Sequence, residues 1–167
     1  MKNTMNNVRL ALYHRDHEAG LEAFTLPEEQ HEFTALPFEV IQNALEREER
    51  HPIVILGDEE PIGFFILDAG EDRGQYSDNP NALLLRAFSI DHRHQGHGYA
   101  TQSLLGLKEF VKQHFPAADE VVLAVNMRNT AARHVYLKAG FRDEGRTRIG
   151  PGGSAAHSGT RDIITRV

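Results

Sequence analysis

Two glycines, Gly96 and Gly98, lie in a short segment that reads RHQGHGYA from residue 93 to residue 100. An apolar run precedes this segment and a helical pattern follows it, so it connects a strand to the start of a helix. A helix start offers unpaired backbone N–H groups and the positive end of the helix dipole. Glycines let the backbone approach an anion with no Cβ atom in the way. The segment therefore predicts a binding site for a phosphate or diphosphate group.

Other phosphate-binding loops fit this segment less well. A Walker A loop needs Gly-Lys-Ser/Thr, which does not follow here. A dinucleotide fingerprint needs its third small residue at another position and an acidic residue at the end of the next strand, and the sequence supplies neither convincingly. A glycine-rich turn that only joins a strand to a helix remains the alternative to a phosphate site.

The chain offers few other sets of residues for chemistry. The absence of cysteine excludes disulfides, zinc–thiolate sites and a cysteine nucleophile. His92, His94 and His97 are close in sequence, but they belong to the predicted phosphate loop and have no paired carboxylates beside them, so we expect no metal site. The segment GPGGS at residues 150–154 predicts a hairpin turn, because no apolar helix follows it.

Alternating strands and helices must position the glycine segment. Apolar runs predict strands at residues 8–13, 53–56, 62–67, 82–90 and 121–125, and two more strands between residues 141 and 167. Helical patterns cover residues 16–32, 38–49, 98–114 and 129–138. This order predicts an α/β fold in a single domain, residues 1–167, with a mixed sheet in which the strands 82–90 and 121–125 are parallel.

Two blocks of the sequence match motifs of one known family. The residues Arg93-x-x-Gly96-x-Gly98 match the signature Gln/Arg-x-x-Gly-x-Gly/Ala. The second block, NMRNTAARHVYLKAGF at residues 126–141, has an Asn after a strand, a helix carrying a Tyr, and then Gly-Phe. In both blocks the chain resembles the GNAT N-acetyltransferase superfamily. The resemblance implies a mostly antiparallel central sheet of about seven strands flanked by helices, in which one parallel strand pair splays apart.

The resemblance also implies acetyl-CoA as co-substrate, with its pantetheine arm in the gap between the splayed strands. Backbone groups of Phe88, Ser89 and Ile90 are then expected to pair with the arm like an added strand. Asn129 is expected to contact the arm near the second helix. The residues implied around the pyrophosphate are Arg93, Gln95, Gly96, His97, Gly98, Tyr99, Ala100 and Thr101.

Tyr136 is the residue to which the resemblance assigns a catalytic role, protonation of the departing CoA thiolate. A phenol with a pKa near 10 stays neutral at pH 7 and can donate a proton to a thiolate as it forms. The alternative is a tyrosine that only packs on a helix face.

The acceptor side of the expected site is less defined. Glu28, Glu29 and Glu32 lie in the region where members of this family differ most, and each is a candidate to select an amine or relay its proton. The alternative for each is a solvated helical carboxylate. Asn126 either orients the substrate or fixes the chain at a strand end, and the sequence identifies no general base.

The composition limits the partners that we expect. With 40% hydrophobic and 25% charged residues, the chain is typical of a folded soluble protein. A net charge of -6 argues against a nucleic-acid partner and mildly favours a cationic acceptor. We expect a cytoplasmic protein with no membrane partner, because no apolar run approaches membrane-spanning length. A homodimer is one expectation, since late strands of this family often pair between subunits.

Three functions fit these features. The first is transfer of an acetyl group from acetyl-CoA to a primary amine of a small molecule, by direct attack in a ternary complex, with a polyamine as one candidate. The second is acetylation of a protein N-terminus or lysine. The third is a non-catalytic acyl-CoA-binding module, which the presence of Tyr136 makes the weaker choice.

Overall fold

Seven β-strands and five α-helices occupy residues 7–26, 37–126, 130–149 and 159–166, the part of the chain that the computed structural model describes. The strands are β1 (Val8–Leu12), β2 (Arg50–Gly57), β3 (Glu60–Asp68), β4 (Ala82–Ile90), β5 (Glu120–Asn126), β6 (Arg142–Ile149) and β7 (Gly159–Arg166). The helices are α1 (Glu18–Glu22), α2 (Pro37–Leu45), α3 (Tyr99–Leu105), α4 (Leu107–His114) and α5 (Thr130–Lys138).

These strands form one mixed sheet in the order β1-β2-β3-β4-β5-β7-β6. The pair β4 and β5 is parallel, and the other described neighbours are antiparallel. The helices α3 and α4 lie between β4 and β5 in the chain, as a parallel connection requires. The α/β class and the parallel pair predicted from the sequence are confirmed.

The β2–β3 hairpin follows from its turn residues. Asp58 and Glu59 both adopt positive φ, 47° and 71°, which suits the twist of a tight two-residue hairpin. The turn predicted between the two apolar runs is therefore confirmed, although both strands extend beyond those runs.

Apolar residues on both faces of the sheet build the core, as the two-residue period of a strand dictates. On β3, Phe65 and Leu67 point to one face and pack in the cluster that includes residues of α3, α4 and α5. Phe64 and Ile66 point to the opposite face, which is covered from α1 and α2. Central strands that are buried on both faces explain the long apolar runs in the sequence.

Three predicted helix boundaries are wrong. Of the helix expected over residues 16–32, the described residues form a 3-10 turn at Arg15–His17 and the short α1, and residues 27–32 lie outside the described part of the chain. Residues 24–26 are not helical, because the backbone of Thr25 bonds to the segment after β4. The second helix ends at Leu45 rather than at residue 49, since the chain turns there into β2. The helix expected over 98–114 is divided into α3 and α4 at Gly106, a poor helix former.

The parallel pair β4 and β5 separates soon after it begins. Register partners are Ala82 with Glu120, Leu83 with Val121 and Leu84 with Val122. Beyond these three pairs, β4 continues to Ile90 and β5 to Asn126 without further pairing to each other in the described structure. The separation leaves backbone groups of the later parts of both strands facing a gap.

Contacts from the segment before β4 hold the paired end together. The Ser77 hydroxyl donates to Glu120 Oε1 at 2.9 Å, and both side chains are buried. Asn79 Nδ2 donates to Asp119 Oδ1 at 2.7 Å. These bonds join the start of β4 to the start of β5, so the gap opens at the other end.

None of the described helices has the length and apolar character that crossing a bilayer requires.

Candidate functional site

The glycine segment leaves β4 through a 3-10 turn at His92–His94 and enters α3 at Gly98. Gly96 and Gly98 have φ values of 82° and 80°, in the left-handed region that other residues adopt at a cost. A Cβ placed on either glycine would meet no atom within 4 Å. The two glycines are therefore needed for the path of the backbone, and they leave an open surface on which a ligand can lie against it.

The N-terminus of α3 is open in the same way. Gly98 is the N-cap residue and provides no side-chain hydrogen bond to the first turn. The N–H groups of that turn, at Tyr99 and Ala100, therefore lack the side-chain cap that many helices have. A phosphate oxygen is a suitable acceptor for such groups.

Two side chains brace the segment from within. The guanidinium of Arg93 donates through Nε and Nη2 to Asp91 Oδ2, with the Nε bond at 2.9 Å. Gln95 Nε2 donates to the carbonyl oxygen of Ile90 at 2.8 Å. Arg93 and Gln95 thus shape the loop with their side chains.

The remaining predicted loop residues are spread between core and surface. The Tyr99 ring is buried, and the exposed His97 stacks on it with ring centroids 5.4 Å apart. Ala100 and Thr101 are half-buried in the first turn of α3. Tyr99 therefore anchors the helix start.

The structure allows a second placement of the signature. Gln/Arg-x-x-Gly-x-Gly/Ala is also satisfied by Gln95, Gly98 and Ala100, two residues after the match that begins at Arg93. In this placement, the middle glycine is the N-cap of α3 and the last small residue lies in its first turn. Both placements put a glycine of positive φ directly before or at the N-terminus of α3.

The histidines of the loop form no metal site in the part of the chain that the structure describes, where no group of three or more His, Asp or Glu side chains could hold an ion.

Tyr136 lies on α5 against the unpaired part of β4. Its ring meets Phe88 edge to face at 6.0 Å between centroids, and meets Phe141 in the same manner at 5.7 Å. The residue is buried, and this burial raises the pKa of its phenol above the ordinary value. The Tyr136 hydroxyl therefore stays protonated at neutral pH.

The predicted backbone contacts Phe88, Ser89 and Ile90 all lie beyond the end of the β4–β5 pairing. A bulge precedes them: Ala87 has a φ of 58°, and the register to β3 shifts between Phe64 and Ile66. Phe88 faces Tyr136, whereas the buried Ser89 pairs in register with Phe64, and its hydroxyl has no hydrogen-bond partner in the described structure. The structure thus brings Phe88 and Tyr136 together at the gap.

Asn126 is the last residue of β5 and pairs in register with Thr160, which confirms its place at a strand end. Asn129, Glu28, Glu29 and Glu32 lie outside the described residues.

Sequence reasoning missed Asp91. Its carboxylate is fully buried, receives the hydrogen bonds of Arg93, and accepts a further bond from the backbone N–H of Thr25 at 3.2 Å. Burial raises the pKa of Asp91, but the bonds from Arg93 and Thr25 lower it by more, so its carboxylate is ionised. An acidic residue directly after an apolar strand, with an arginine two residues later, was the available signal.

The sequence profile of the Acetyltransferase (GNAT) family matches residues 16–141 of the chain. The chain belongs to this family. YbbJ of Bacillus subtilis (strain 168), described as an uncharacterized N-acetyltransferase, is 47% identical to this GNAT protein over 146 residues, which are 87% of this chain and 91% of YbbJ. The protein is therefore an N-acetyltransferase with acetyl-CoA as co-substrate, which confirms the resemblance seen in the sequence.

Solved structures share the GNAT fold of this chain. The aminoglycoside acetyltransferase AAC(6')-Ib in complex with coenzyme A superposes with a TM-score of 0.74 at 19% identity, covering 96% of this chain and 95% of the other. A spermidine N-acetyltransferase SpeG chimera from Vibrio cholerae and hSSAT superposes with a TM-score of 0.66 at 14% identity, covering 95% of each chain. At these identities, the likeness concerns the fold.

Proposed function

We propose that this acetyltransferase transfers the acetyl group of acetyl-CoA to a primary amine of a small molecule, by direct attack in a ternary complex. The observation that carries the proposal is the gap between β4 and β5, with the open glycine loop at the end of β4 and the Tyr136 phenol at its side. An extended thioester donor can therefore place its diphosphate at the glycine loop and its thioester sulfur near the Tyr136 phenol.

Different residues around the gap bind different parts of acetyl-CoA. The backbone of residues 95–101 holds the pyrophosphate, and the backbone of residues 88–90 pairs with the pantetheine amides as an additional strand would. Acetyl-CoA supplies an activated acyl group and a thiolate leaving group. The Tyr136 hydroxyl donates its proton to that thiolate, and burial of the ring keeps the proton in place until then.

The acceptor must lose a proton before it attacks. An alkyl ammonium with a pKa of about 10.4 is neutral in roughly one molecule in 2,500 at pH 7, which corresponds to about 4.6 kcal/mol. We propose that Glu28, Glu32 and Asn126 contribute to binding or deprotonating the amine, and that Asn129 contacts the cofactor arm. Direct attack by the amine needs no protein nucleophile, which agrees with a chain that has no cysteine.

Charge and neighbours support a small cationic acceptor. The chain has a net charge of -6, and a pocket of about 70 Å³ between α1 and α2 is lined by Glu18, Glu22, Leu21, Ile41 and Gln42. Two structural neighbours are named for small amines, aminoglycosides and spermidine. A polyamine is therefore one candidate acceptor.

A competition experiment tests this choice of acceptor. The protein and acetyl-CoA are incubated with an equimolar pool of spermidine, kanamycin, a peptide with a free N-terminus and an N-terminally blocked peptide with one lysine. Mass spectrometry then shows which species gains an acetyl group. We expect acetylation of a small amine, and acetylation of the peptides alone would contradict the proposal in favour of a protein acetyltransferase.

A further inference from the structure

Asp91 lies where β4 passes into the glycine loop, and its carboxylate joins that loop to residues 24–26. Oδ1 accepts the backbone N–H of Thr25 at 3.2 Å and its hydroxyl at 3.4 Å. Oδ2 accepts the guanidinium of Arg93 on the loop side. The two oxygens of one carboxylate therefore bind two segments that are far apart in sequence: Oδ1 binds Thr25, and Oδ2 binds the glycine loop.

Backbone hydrogen bonds reinforce the same junction. The N–H of His92 donates to the carbonyl oxygen of Thr25 at 2.8 Å, and the N–H of Asp91 donates to Ile62 of β3 at 2.9 Å. Phe24 and Leu26, on either side of Thr25, are buried. Residues 24–26 are thus held to the start of the loop by both main-chain and side-chain bonds.

In the proposed function, these two segments serve the two sides of the reaction. The loop carries the proposed pyrophosphate contacts, and residues 24–26 lead directly into residues 27–36, which contain the proposed acceptor carboxylates Glu28 and Glu32. A buried carboxylate costs several kcal/mol in desolvation unless such partners offset it. Losing either set of partners is therefore unfavourable, and this links the positions of the two segments.

We propose that Asp91 is a positioning residue that fixes the shape of the pyrophosphate loop and couples it to the acceptor-side segment through Thr25. The inference rests on the proposed function, because it takes residues 95–101 as the pyrophosphate site. Binding of the donor then restrains residues 24–26, and by linkage the restrained segment favours donor binding.

The variant Asp91→Asn tests the positioning role. Asparagine keeps the shape but has a single acceptor oxygen, so it can serve Thr25 or Arg93 and not both. We expect the Kd for coenzyme A, measured by calorimetry, to rise about tenfold. With acetyl-CoA and an acceptor amine, KM for acetyl-CoA should rise by a similar factor, and kcat at saturation should change by less than about twofold.

Asp68→Asn is the matched control. Asp68 is also buried at the end of a strand, and it accepts bonds from Arg86 at 3.0 Å and from the backbone of Gly70 at 2.7 Å, away from the loop. This variant should lower the melting temperature and leave the Kd for coenzyme A unchanged. A wild-type Kd in Asp91→Asn, or an equal rise in both variants, would overturn the proposal.

Hydrogen exchange of the wild-type protein supplies a readout that needs no substitution. Coenzyme A should slow amide exchange in the peptide containing residues 24–26, and exchange at the β2–β3 turn should be unchanged. Unchanged exchange at 24–26 in the presence of bound coenzyme A overturns the coupling alone. A wild-type protein that binds no coenzyme A overturns the donor site itself, so the two failures are distinguishable.

Discussion

At the scale of single residues, the environment of Tyr136 determines what its phenol can do. The sequence predicted this residue from its place before Gly140-Phe141. Its packing against Phe88 has no local signal, because Phe88 lies on β4, far from α5 in sequence. The sequence also could not show that burial raises its pKa, because that depends on the surrounding core.

Replacing Tyr136 with phenylalanine separates proton donation from packing. Tyr136→Phe should lower kcat about 100-fold, since general acid catalysis contributes on this order, and leave the Kd for coenzyme A unchanged. Stopped assays of thiol release and calorimetry measure the two quantities. A variant with wild-type kcat would remove Tyr136 from the chemistry.

The same assay has a pH signature. Because the pKa of Tyr136 is raised, its phenol stays protonated to higher pH than an exposed tyrosine, whose pKa is about 10. We therefore expect the wild-type kcat to show no fall centred near pH 10 that Tyr136→Phe lacks, and such a fall would indicate a phenol of ordinary pKa.

At the scale of elements, local sequence decided which elements form, and tertiary contacts decided where they end. The strand at Ala82–Ile90 was predicted with its observed bounds, because a mainly apolar run, interrupted by Arg86 and Ser89, ends where Asp91 follows. The long first helix was not, since the bonds between Thr25 and the Asp91–His92 segment join residues far apart in sequence. Such bonds leave no periodic pattern in either segment.

The left-handed backbone of Gly98 predicts effects on both folding and coenzyme A binding. Gly98→Ala should cost roughly 1–2 kcal/mol in folding, because Gly98 is left-handed, and it should also weaken coenzyme A binding by placing a methyl group on the open surface. Gly140→Ala is the control, since Gly140 also has positive φ, 106°, and no atoms near its Cβ position. Both variants should be destabilised in urea titrations, and equal coenzyme A affinities would contradict the loop assignment.

The helix start before α1 is sensitive to pH. The N–H of Asp16 donates to His14 Nδ1 and the N–H of His14 donates to His17 Nδ1, so the His17 ring accepts this bond only while its Nδ1 carries no proton. Burial and the neighbouring His14 lower the pKa of His17. The unfolded chain therefore binds more protons in acid, and this stability is present above about pH 6.5 and lost as the pH falls below it.

The variant His17→Gln keeps an acceptor at the capping-box position without titrating. Between pH 7.5 and pH 5.5, its free energy of unfolding should fall by about 0.5 kcal/mol less than that of the wild type, the lower range of a helix cap. Urea titrations at the two pH values measure the difference. Identical pH dependence would show that the cap does not respond to protonation.

At the scale of the whole molecule, the sheet becomes a site because one strand pair separates. The sequence predicted the parallel pair from the strand–helix–strand order, and only the family resemblance implied its splaying. The point of separation could not be predicted from apolar runs, which continue past it on both strands, and the paired end is joined by contacts between distant segments such as Ser77 with Glu120.

Removing this contact should destabilise the sheet. Ser77→Ala leaves the buried Glu120 carboxylate without the Ser77 hydroxyl, at a cost of about 1–3 kcal/mol in the free energy of unfolding. Asp119→Ala removes the neighbouring but exposed bond to Asn79 and should cost less than about 1 kcal/mol. Equal costs in urea titrations would mean that the buried bond has no special part in holding the paired end.

The central claim is tested most directly by the initial rate of thiol release. This rate is measured while the concentrations of acetyl-CoA and of the small amine that accepts the acetyl group are both varied. Direct transfer in a ternary complex predicts amine-dependent release with double-reciprocal lines that intersect. Thiol release that no small amine accelerates, or parallel lines that indicate an acetylated enzyme, would contradict it.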